Sequence, residues 1–418
     1  MEPIAVLQGR RVLLGVTGGI GAYKICVLAS RLTQAGAEVD VVMTEAATRF
    51  VAPLTFQALT GRPVYTDLWS TPGPGLPTHI AHVGLAHSAD LLVIAPATAN
   101  TLAKLAHGLA DNLLTTLALA ATCPVLVVPA MDAGMWSNVA TQANVQTLRA
   151  RGVRFAGPTW GRMASGLEGE GRMIEPEEIL GHIRLVLGRN GPLSGRRVVV
   201  TAGPTREFLD PVRFLSNPSS GRQGFALAQA ALDRGARVTL IAGPTHLPTP
   251  VGAKRVDVIS AQEMHDAVLE AVAEADVLLM AAAVADYRPQ ETVPQKMKKK
   301  DAALTLRLVR TPDVLAAVAE QRAKTGRPRV TVGFAAESEN LVENARAKME
   351  AKRLDLIVAN DVTAADAGFA VGTNRVVILD LQGGVQELPL MSKSAVAEVV
   401  LDRVVDLLET AISSRRSA

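Results

Sequence analysis

Two stretches of the chain repeat one pattern. Gly9-Arg10-Arg11-Val12 leads through Leu13-Leu14-Gly15-Val16 into Thr17-Gly18-Gly19-Ile20-Gly21. Gly195-Arg196-Arg197-Val198 leads through Val199-Val200 into Thr201-Ala202-Gly203-Pro204-Thr205. Each reads as a short apolar strand ending in a turn of small residues. In an open α/β sheet the carboxyl end of such a strand is where nucleotides and phosphorylated cofactors bind. Small residues let backbone N–H groups approach an anion, and a following helix adds the positive end of its dipole. The chain is thereby constrained to two nucleotide-type domains in tandem, and two sites imply two reactions.

Composition bounds the partners. A length of 418 residues allows two or three domains, and 48% apolar residues are ample for their cores. A net charge of +3 and 3% aromatic residues exclude a nucleic-acid binder, which needs a basic face or stacking platforms. Cys26 and Cys123 have neither metal-ligand spacing nor a disulfide framework. That fits a reducing cytoplasm, and Met1-Glu2-Pro3 is not a secretory start. The uncharged run Leu113–Met131 is broken by Thr115, Thr116, Thr122 and Pro124, so it reads as helix plus buried strand rather than a membrane span.

The first half alternates strand and helix. Strands are expected at Arg11–Val16, Glu38–Met43, Leu91–Ala95 and Pro124–Val128, and helices at Ile20–Gln34, Ala99–His107, Asn112–Ala121, Met135–Arg151 and Glu177–Leu187. Runs such as Leu91-Leu92-Val93-Ile94 suit parallel strands buried on both faces. Gly157–Met173, rich in glycine, is too long for an ordinary connection and reads as a mobile functional loop. After a linker at Gly188–Gly195 the alternation restarts. Strands are expected at Arg197–Ala202, Arg237–Ala242, Val277–Ala281, Val330–Phe334, Leu356–Ala359 and Val376–Asp380. Helices are expected at Gln223–Arg234, Ala261–Ala273, Pro312–Arg322, Asn340–Lys352 and Ser392–Thr410. Asp286–Leu304, which holds Lys296-Met297-Lys298-Lys299-Lys300, has no strong period.

Six ordered motifs carry a resemblance. They are Thr17–Lys24, Ala95–Thr101, Pro129-Ala130-Met131 with Met135-Trp136, Ser216–Gly221, Ala281–Arg288 and Val332–Glu337. The first half resembles flavin-dependent cysteine decarboxylases of the flavodoxin-like class. The second resembles the phosphopantothenate–cysteine ligase domain. Together they resemble the bacterial bifunctional phosphopantothenoylcysteine decarboxylase/phosphopantothenate–cysteine ligases of coenzyme A synthesis. The resemblance covers nearly the whole chain. It implies an α/β protein of two doubly wound domains, a flavodoxin-like flavoprotein domain over 1–190 and a Rossmann-like ligase domain over 191–418.

For the first half, the resemblance puts the FMN phosphate at Gly18, Gly19 and Ile20, with hydroxyls from Thr44 and Thr98 and with Ala97 and Met131 in the cofactor site. A plain tight turn explains the first motif alone, but not a second at Ala95–Thr101. The implied reaction passes electrons from the thiol-bearing carbon of 4′-phosphopantothenoylcysteine to FMN. Carbon dioxide leaves from the thioaldehyde, and the electrons return to give 4′-phosphopantetheine. His79 matches the family's essential histidine, an acid/base near neutral pH. His82 and His87 have no such match, and Lys24 reads as a helix-surface charge. Two candidate catalytic positions depart from the family. Asp132 replaces the asparagine that grips the substrate carboxylate, which an ionised aspartate repels unless protonated or turned away. Ser165 replaces a loop cysteine that protonates the ene-thiol, and a hydroxyl is a far weaker acid. The decarboxylase then uses another donor or is slowed.

For the second half, the resemblance implies that CTP activates the carboxylate of 4′-phosphopantothenate as an acyl-cytidylate with loss of pyrophosphate. The amine of L-cysteine then attacks, giving the amide and CMP. Mg²⁺ accompanies the phosphates, with no ligands assigned. Asn217 matches the residue that binds the acyl-cytidylate, and Lys296 the transition-state lysine. Asp286 matches the cytosine-contacting acid, with Ala281 and Ala282 beside it, and Phe334 a base-contacting aromatic. Gly203, Pro312, Asp313, Val314, Lys348 and Lys352 complete the CTP site. Lys348 and Lys352 share a helix face and can reach one triphosphate, or can simply solvate that helix.

The partners so implied are small molecules, with no nucleic acid and no membrane. A homo-oligomer is expected, and a dodecamer by family analogy. An active ligase fused to a degenerate flavin-binding domain stays open, supported by Asp132 and Ser165. A non-enzymatic flavin-binding regulator is opposed by the ligase motifs. An NAD(P) dehydrogenase is excluded, because neither turn reads G-x-G-x-x-G with a placed acid.

Overall fold

Strand β1 (Arg11–Val16) sorts its side chains by the two-residue period of a strand. Val12, Leu14 and Val16 join a cluster with Ile25, Leu28 and Leu32 of the helix Ala22–Gln34 and with Ile179 and Ile183 of Pro176–Gly188. Leu13 joins the opposite cluster, with Leu102, Leu113, Leu114 and Leu117. A strand buried on both faces must be apolar throughout, and each such side chain contributes roughly 2 kcal/mol of transfer free energy.

The computed structural model describes residues 2–69, 80–298, 304–337, 339–361 and 372–416. The chain divides into two compact units, Met1–Gly188 and Arg189–Ala418. In the first, β1 is followed by β2 (Glu38–Met43), β3 (Val64–Tyr65), β4 (Leu91–Ala97), β5 (Val125–Pro129) and β6 (Arg154–Phe155). They form one parallel sheet of order β3-β2-β1-β4-β5-β6. Without the two-residue β3, the order is the flavodoxin one. A hairpin of β7 (Thr159–Arg162) and β8 (Glu168–Arg172) follows.

The second unit holds β9 (Arg197–Ala202), a hairpin of β10 (Arg206–Phe208) and β11 (Phe214–Ser216), β12 (Arg237–Ala242), β13 (Lys254–Asp257) and β14 (Val277–Met280). A second hairpin, β15 (Tyr287–Pro289) and β16 (Leu308–Arg310), precedes β17 (Val330–Glu337) and β18 (Leu356–Asp361). The parallel order β13-β12-β9-β14-β17-β18 is that of dinucleotide-binding folds. Val376–Asp380 and Val385–Glu387 extend it antiparallel.

Each Arg-Arg pair meets one aspartate, the second arginine through its backbone and the first through its side chain. Asp90, before β4, donates its N–H to the Arg11 carbonyl at 2.8 Å and accepts the Arg11 N–H on its carboxylate at 2.8 Å. Asp276, before β14, makes the same exchange with Arg197 at 2.8 and 3.0 Å. Arg10 pairs with Asp90 at 2.9 Å, and Arg196, Arg327 and Arg329 surround Asp276 at 3.2–3.7 Å.

The structure corrects several expectations. The helix expected over Met135–Arg151 is two helices, Ala133–Ser137 and Val139–Ala150, because Asn138 is extended and its side chain accepts from the Ala140 N–H at 2.9 Å. A short amide competing for the backbone breaks one helix and caps the next. The supposed loop Gly157–Met173 contains the β7–β8 hairpin, whose ladder needs no apolar alternation. The helices Pro53–Thr60 and Ala81–Ser88 and the β10–β11 and β15–β16 hairpins were not legible as periods. Replacing Asp276 by alanine should leave three guanidinium groups around a vacated carboxylate site and cost about 2–3 kcal/mol. Amide exchange should then accelerate across β9 and β14 and stay unchanged across β1 and β4.

Candidate active sites

The first site forms where the strand order reverses, between β1 and β4, and the second beside the corresponding point, at the carboxyl ends of β14 and β17. Thr17, at the end of β1, donates its hydroxyl to the Pro96 carbonyl at 2.6 Å and accepts from the Thr98 N–H at 3.3 Å. Thr201 of β9 accepts from the Ala282 N–H at 3.0 Å. Each threonine therefore fixes a turn against the segment leaving the neighbouring strand.

The first cavity, about 610 Å³, is lined by Gly18, Gly19, Ile20 and Gly21 from the turn, by Thr98, and by Ala130, Met131 and Asp132 after β5. The β7–β8 hairpin adds Arg162, Met163, Ala164, Ser165, Gly171 and Arg172. Gly18 is needed for close approach, since a Cβ there would stand 2.4 Å from that of Ala46. Gly171 docks the hairpin: its carbonyl accepts from the Met131 N–H at 3.0 Å, and a Cβ would strike the Met131 carbonyl oxygen at 2.4 Å. Thr98 caps the helix Ala99–His107, accepting from the Thr101 N–H at 3.3 Å, so that helix presents its positive end here. Thr44 and Ala97 stand just outside the lining; Thr44 caps Glu45–Thr48 instead. His79 lies outside the described residues.

Lys24 corrects the sequence reading. It lines the cavity, its side chain is 16% exposed, and it meets Glu175 at 2.7 Å, which Arg172 also reaches at 2.8 Å. Lys24, then Arg172, hold the Glu175 carboxyl below its ordinary value. Asp132 and Ser165, the two departures from the family pattern, meet each other. Asp132 Oδ1 accepts from the Gly134 N–H at 3.0 Å, and Oδ2 accepts from the Ser165 hydroxyl at 3.1 Å. Burial pushes both Cys26 and Cys123 thiols up, so neither is a substitute acid of low pKa. Met131, Met135, Met163 and Met173 supply adaptable apolar surface. That surface, with a glycine turn, a helix N-terminus and Lys24, fits a flavin with its phosphate.

The second cavity, about 590 Å³, is lined by Ala282, Asp286, Pro312, Asp313, Val314, Phe334, Lys348 and Lys352, with Arg310 and Thr311 not foreseen from the sequence. The segment Ala281–Asp286 is laced to the first turn. Ala283 donates its N–H to the Gly203 carbonyl at 2.9 Å, and Ala285 donates its N–H to the Thr205 hydroxyl at 3.0 Å. The Asn217 amide donates to the Val284 carbonyl at 3.1 Å. Gly203 and Asn217 thus hold the segment that lines the cavity without lining it themselves, Ala281 lies in that segment but off the lining, and Lys296 is exposed on a segment outside it. Lys348 donates to the Phe334 carbonyl at 3.3 Å, and Lys352 pairs with Asp313. Asp313 caps Val314–Thr325 through the Ala316 N–H at 3.0 Å. Arg310, Lys348 and Lys352 against Asp286 and Asp313 leave the cavity cationic, as a polyphosphate requires.

Residues 4–188 match the family described as Flavoprotein, and residues 193–408 the DNA/pantothenate metabolism flavoprotein C-terminal domain. The coenzyme A biosynthesis bifunctional protein CoaBC of Bacillus subtilis (strain 168) is 47% identical over 405 residues, covering 96% of this chain and 98% of that protein. The chain belongs to this family. Its Escherichia coli (strain K12) relative is 44% identical over 402 residues, covering 96% of this chain and 97% of that one. A crystal structure of a CoaBC C-terminal domain is 39% identical over 53% of this chain and 99% of its own, with a TM-score of 0.45. The protein is a bifunctional enzyme of coenzyme A biosynthesis, with a flavoprotein decarboxylase unit followed by a ligase-type unit. No helix among the described residues is long and apolar enough to cross a membrane.

Two predictions follow from the geometry. Gly18→Ala must displace Ala46 and should cost about 1–3 kcal/mol, with loss of bound flavin read from the protein's absorbance. Burial alone would raise the Asp313 carboxyl; Lys352, the Ala316 N–H and Lys348 outweigh it and hold it below the ordinary value. Its stabilising contribution is complete above the unfolded-state value of about 3.9 and is lost as pH falls through the lower native value. Urea unfolding at successive pH values should show the gap between wild type and Asp313→Asn closing in that acid range.

Proposed function

We propose that the second unit joins 4′-phosphopantothenate to L-cysteine at the expense of CTP, through an acyl-cytidylate, and that the first unit decarboxylates the product to 4′-phosphopantetheine with FMN. The observation that carries this reading is that each unit has a cavity at the carboxyl ends of its parallel strands, bordered by motif residues of the corresponding half-reaction.

In the first unit, Gly18, Gly19 and Thr98 bind the FMN phosphate and the methionines bed the ring. When bound, FMN supplies a transient acceptor for two electrons. His79 moves the proton at the thiol or carboxylate. Lys24 and Arg172, which keep one net positive charge after sharing Glu175, face the substrate's anionic groups and offset Asp132. In the second unit, Arg310, Lys348 and Lys352 hold the triphosphate, Asp286 accepts from the cytosine amino group, and Phe334 contacts the base. Lys296 donates to the phosphate that gains charge as the carboxylate attacks, and Asn217 holds the acyl-cytidylate for the amine of cysteine. Mg²⁺ enters as the counter-ion of the nucleotide. A cytoplasmic homo-oligomer, by family analogy a dodecamer, completes the reading.

A second reading, an active ligase beside a flavin-binding unit that does not decarboxylate, draws on the Asp132–Ser165 hydrogen bond, which occupies both departed positions with each other. Incubation with 4′-phosphopantothenate, cysteine and CTP, with products identified by mass, separates the two. The first reading expects 4′-phosphopantetheine and the second stops at 4′-phosphopantothenoylcysteine. His79→Asn should keep the yellow cofactor and ligation while losing carbon dioxide release. Lys296→Gln should lose roughly 3 kcal/mol at the ligation barrier, on the scale of an oxyanion donor. Wild-type rates in both variants would overturn the residue assignments.

A further inference from the structure

Asp210 is fully buried, in the turn between β10 and β11. Its two carboxylate oxygens do different work. Oδ1 accepts from the Val212 and Arg213 N–H groups at 2.7 and 2.8 Å and shapes the turn. Oδ2 accepts from the Met297 N–H at 3.1 Å and from the Arg213 guanidinium at 3.0 Å. The same Arg213 nitrogen donates to the Met297 carbonyl at 2.9 Å. Asp210 and Arg213 therefore grip both polar groups of one backbone residue, and that residue is the neighbour of Lys296. Two further bonds tie the start of the same segment to this hairpin: Thr292 donates its hydroxyl to the Phe208 carbonyl at 3.0 Å, and Val293 donates its N–H to the Leu209 carbonyl at 3.0 Å.

A turn of this kind needs one side-chain acceptor, and asparagine or serine would serve. Burying a full carboxylate costs several kcal/mol unless further donors meet it. Here the further donors are the Lys296 segment and the arginine that also holds it. The hairpin then runs through β11 into Asn217, so one rigid element carries one candidate ligase residue and clasps the backbone next to the other.

We infer that Asp210 is a positioning residue for Lys296, holding the lysine segment on the Asn217 hairpin so that both reach the activated carboxylate from fixed positions. This rests on the reading of Lys296 as the ligase lysine. Asp210→Asn tests it in the full-length enzyme. Its remaining oxygen can still make the turn, but its NH₂ opposes the Met297 N–H and the Arg213 guanidinium. CTP-dependent pyrophosphate release should fall about 10- to 100-fold in kcat, the cost of a misplacement near 1 Å, with KM for CTP little changed. Trypsin should cleave after Lys296 and Lys298 faster than in wild type. In a Lys296→Gln background, Asp210→Asn should add no further loss. If Asp210→Asn does not fold, Asp210→Ser makes the same kind of turn and carries the same expectations. An Asp210→Asn enzyme at the wild-type rate beside a slow Lys296→Gln overturns this proposal alone, as does a full additive loss in the double variant. Lys296→Gln at the wild-type rate overturns the underlying reading, and the proposal with it.

Discussion

The structure depends on one exchange made twice: an aspartate at the head of the fourth core strand, Asp90 or Asp276, trades two hydrogen bonds with the backbone of the first, at Arg11 or Arg197. A parallel pair can slip by a residue, and a slip moves every side chain to the opposite face. The carboxylate accepts an N–H at the edge of the ladder and so pins the register. With the register set, Val12 and Leu14 face one core and Leu13 the other. The arginine before each strand neutralises the aspartate. This accounts for the first arginine of each repeat; the second contributes its backbone to the exchange, while its side chain pairs elsewhere, Arg11 with Asp40 and Arg197 with Glu274.

The carboxyl ends of the parallel strands are where the chemistry gathers, beyond β1, β4 and β5 in the first unit and beyond β14 and β17 in the second. Thr17 and Thr201 repeat each other there, each accepting an N–H from the segment beyond the neighbouring strand. The two units then diverge. The first closes its cavity with a hairpin seated on the Met131 backbone and lined by methionine, which suits a flat, largely apolar ring. The second lines its cavity with Arg310, Lys348 and Lys352, which suits phosphates. A common frame with different linings accounts for two reactions in one chain.

Much of this was legible. Wholly apolar runs located the core strands, and Arg11–Val16, Glu38–Met43, Ala99–His107, Arg197–Ala202 and Arg237–Ala242 form as their periods require. Hairpins escaped, because a ladder of backbone hydrogen bonds can form between residues such as Gly161 and Gly169 that carry no hydrophobic period. The break at Asn138 escaped because Asn can extend a helix or cap one, and the Ala140 N–H decides which. Lys24 read as surface charge because the turn before it gives no hint that Glu175 approaches it from 151 residues away.

The sequence by itself determined the fold class, the family and the motif residues, since these are carried by local period and by long ordered matches. Only the tertiary structure decided how those residues meet. Asp132 and Ser165, two separate departures, are bonded partners; Asp210, silent in the sequence, holds the backbone beside Lys296; and Gly203 and Asn217 support the second cavity without lining it. The reason is that a hydrogen bond between residues 33 or 87 positions apart leaves no periodic trace. Its partners are chosen by strand order and hairpin docking, which exist only once the chain is folded.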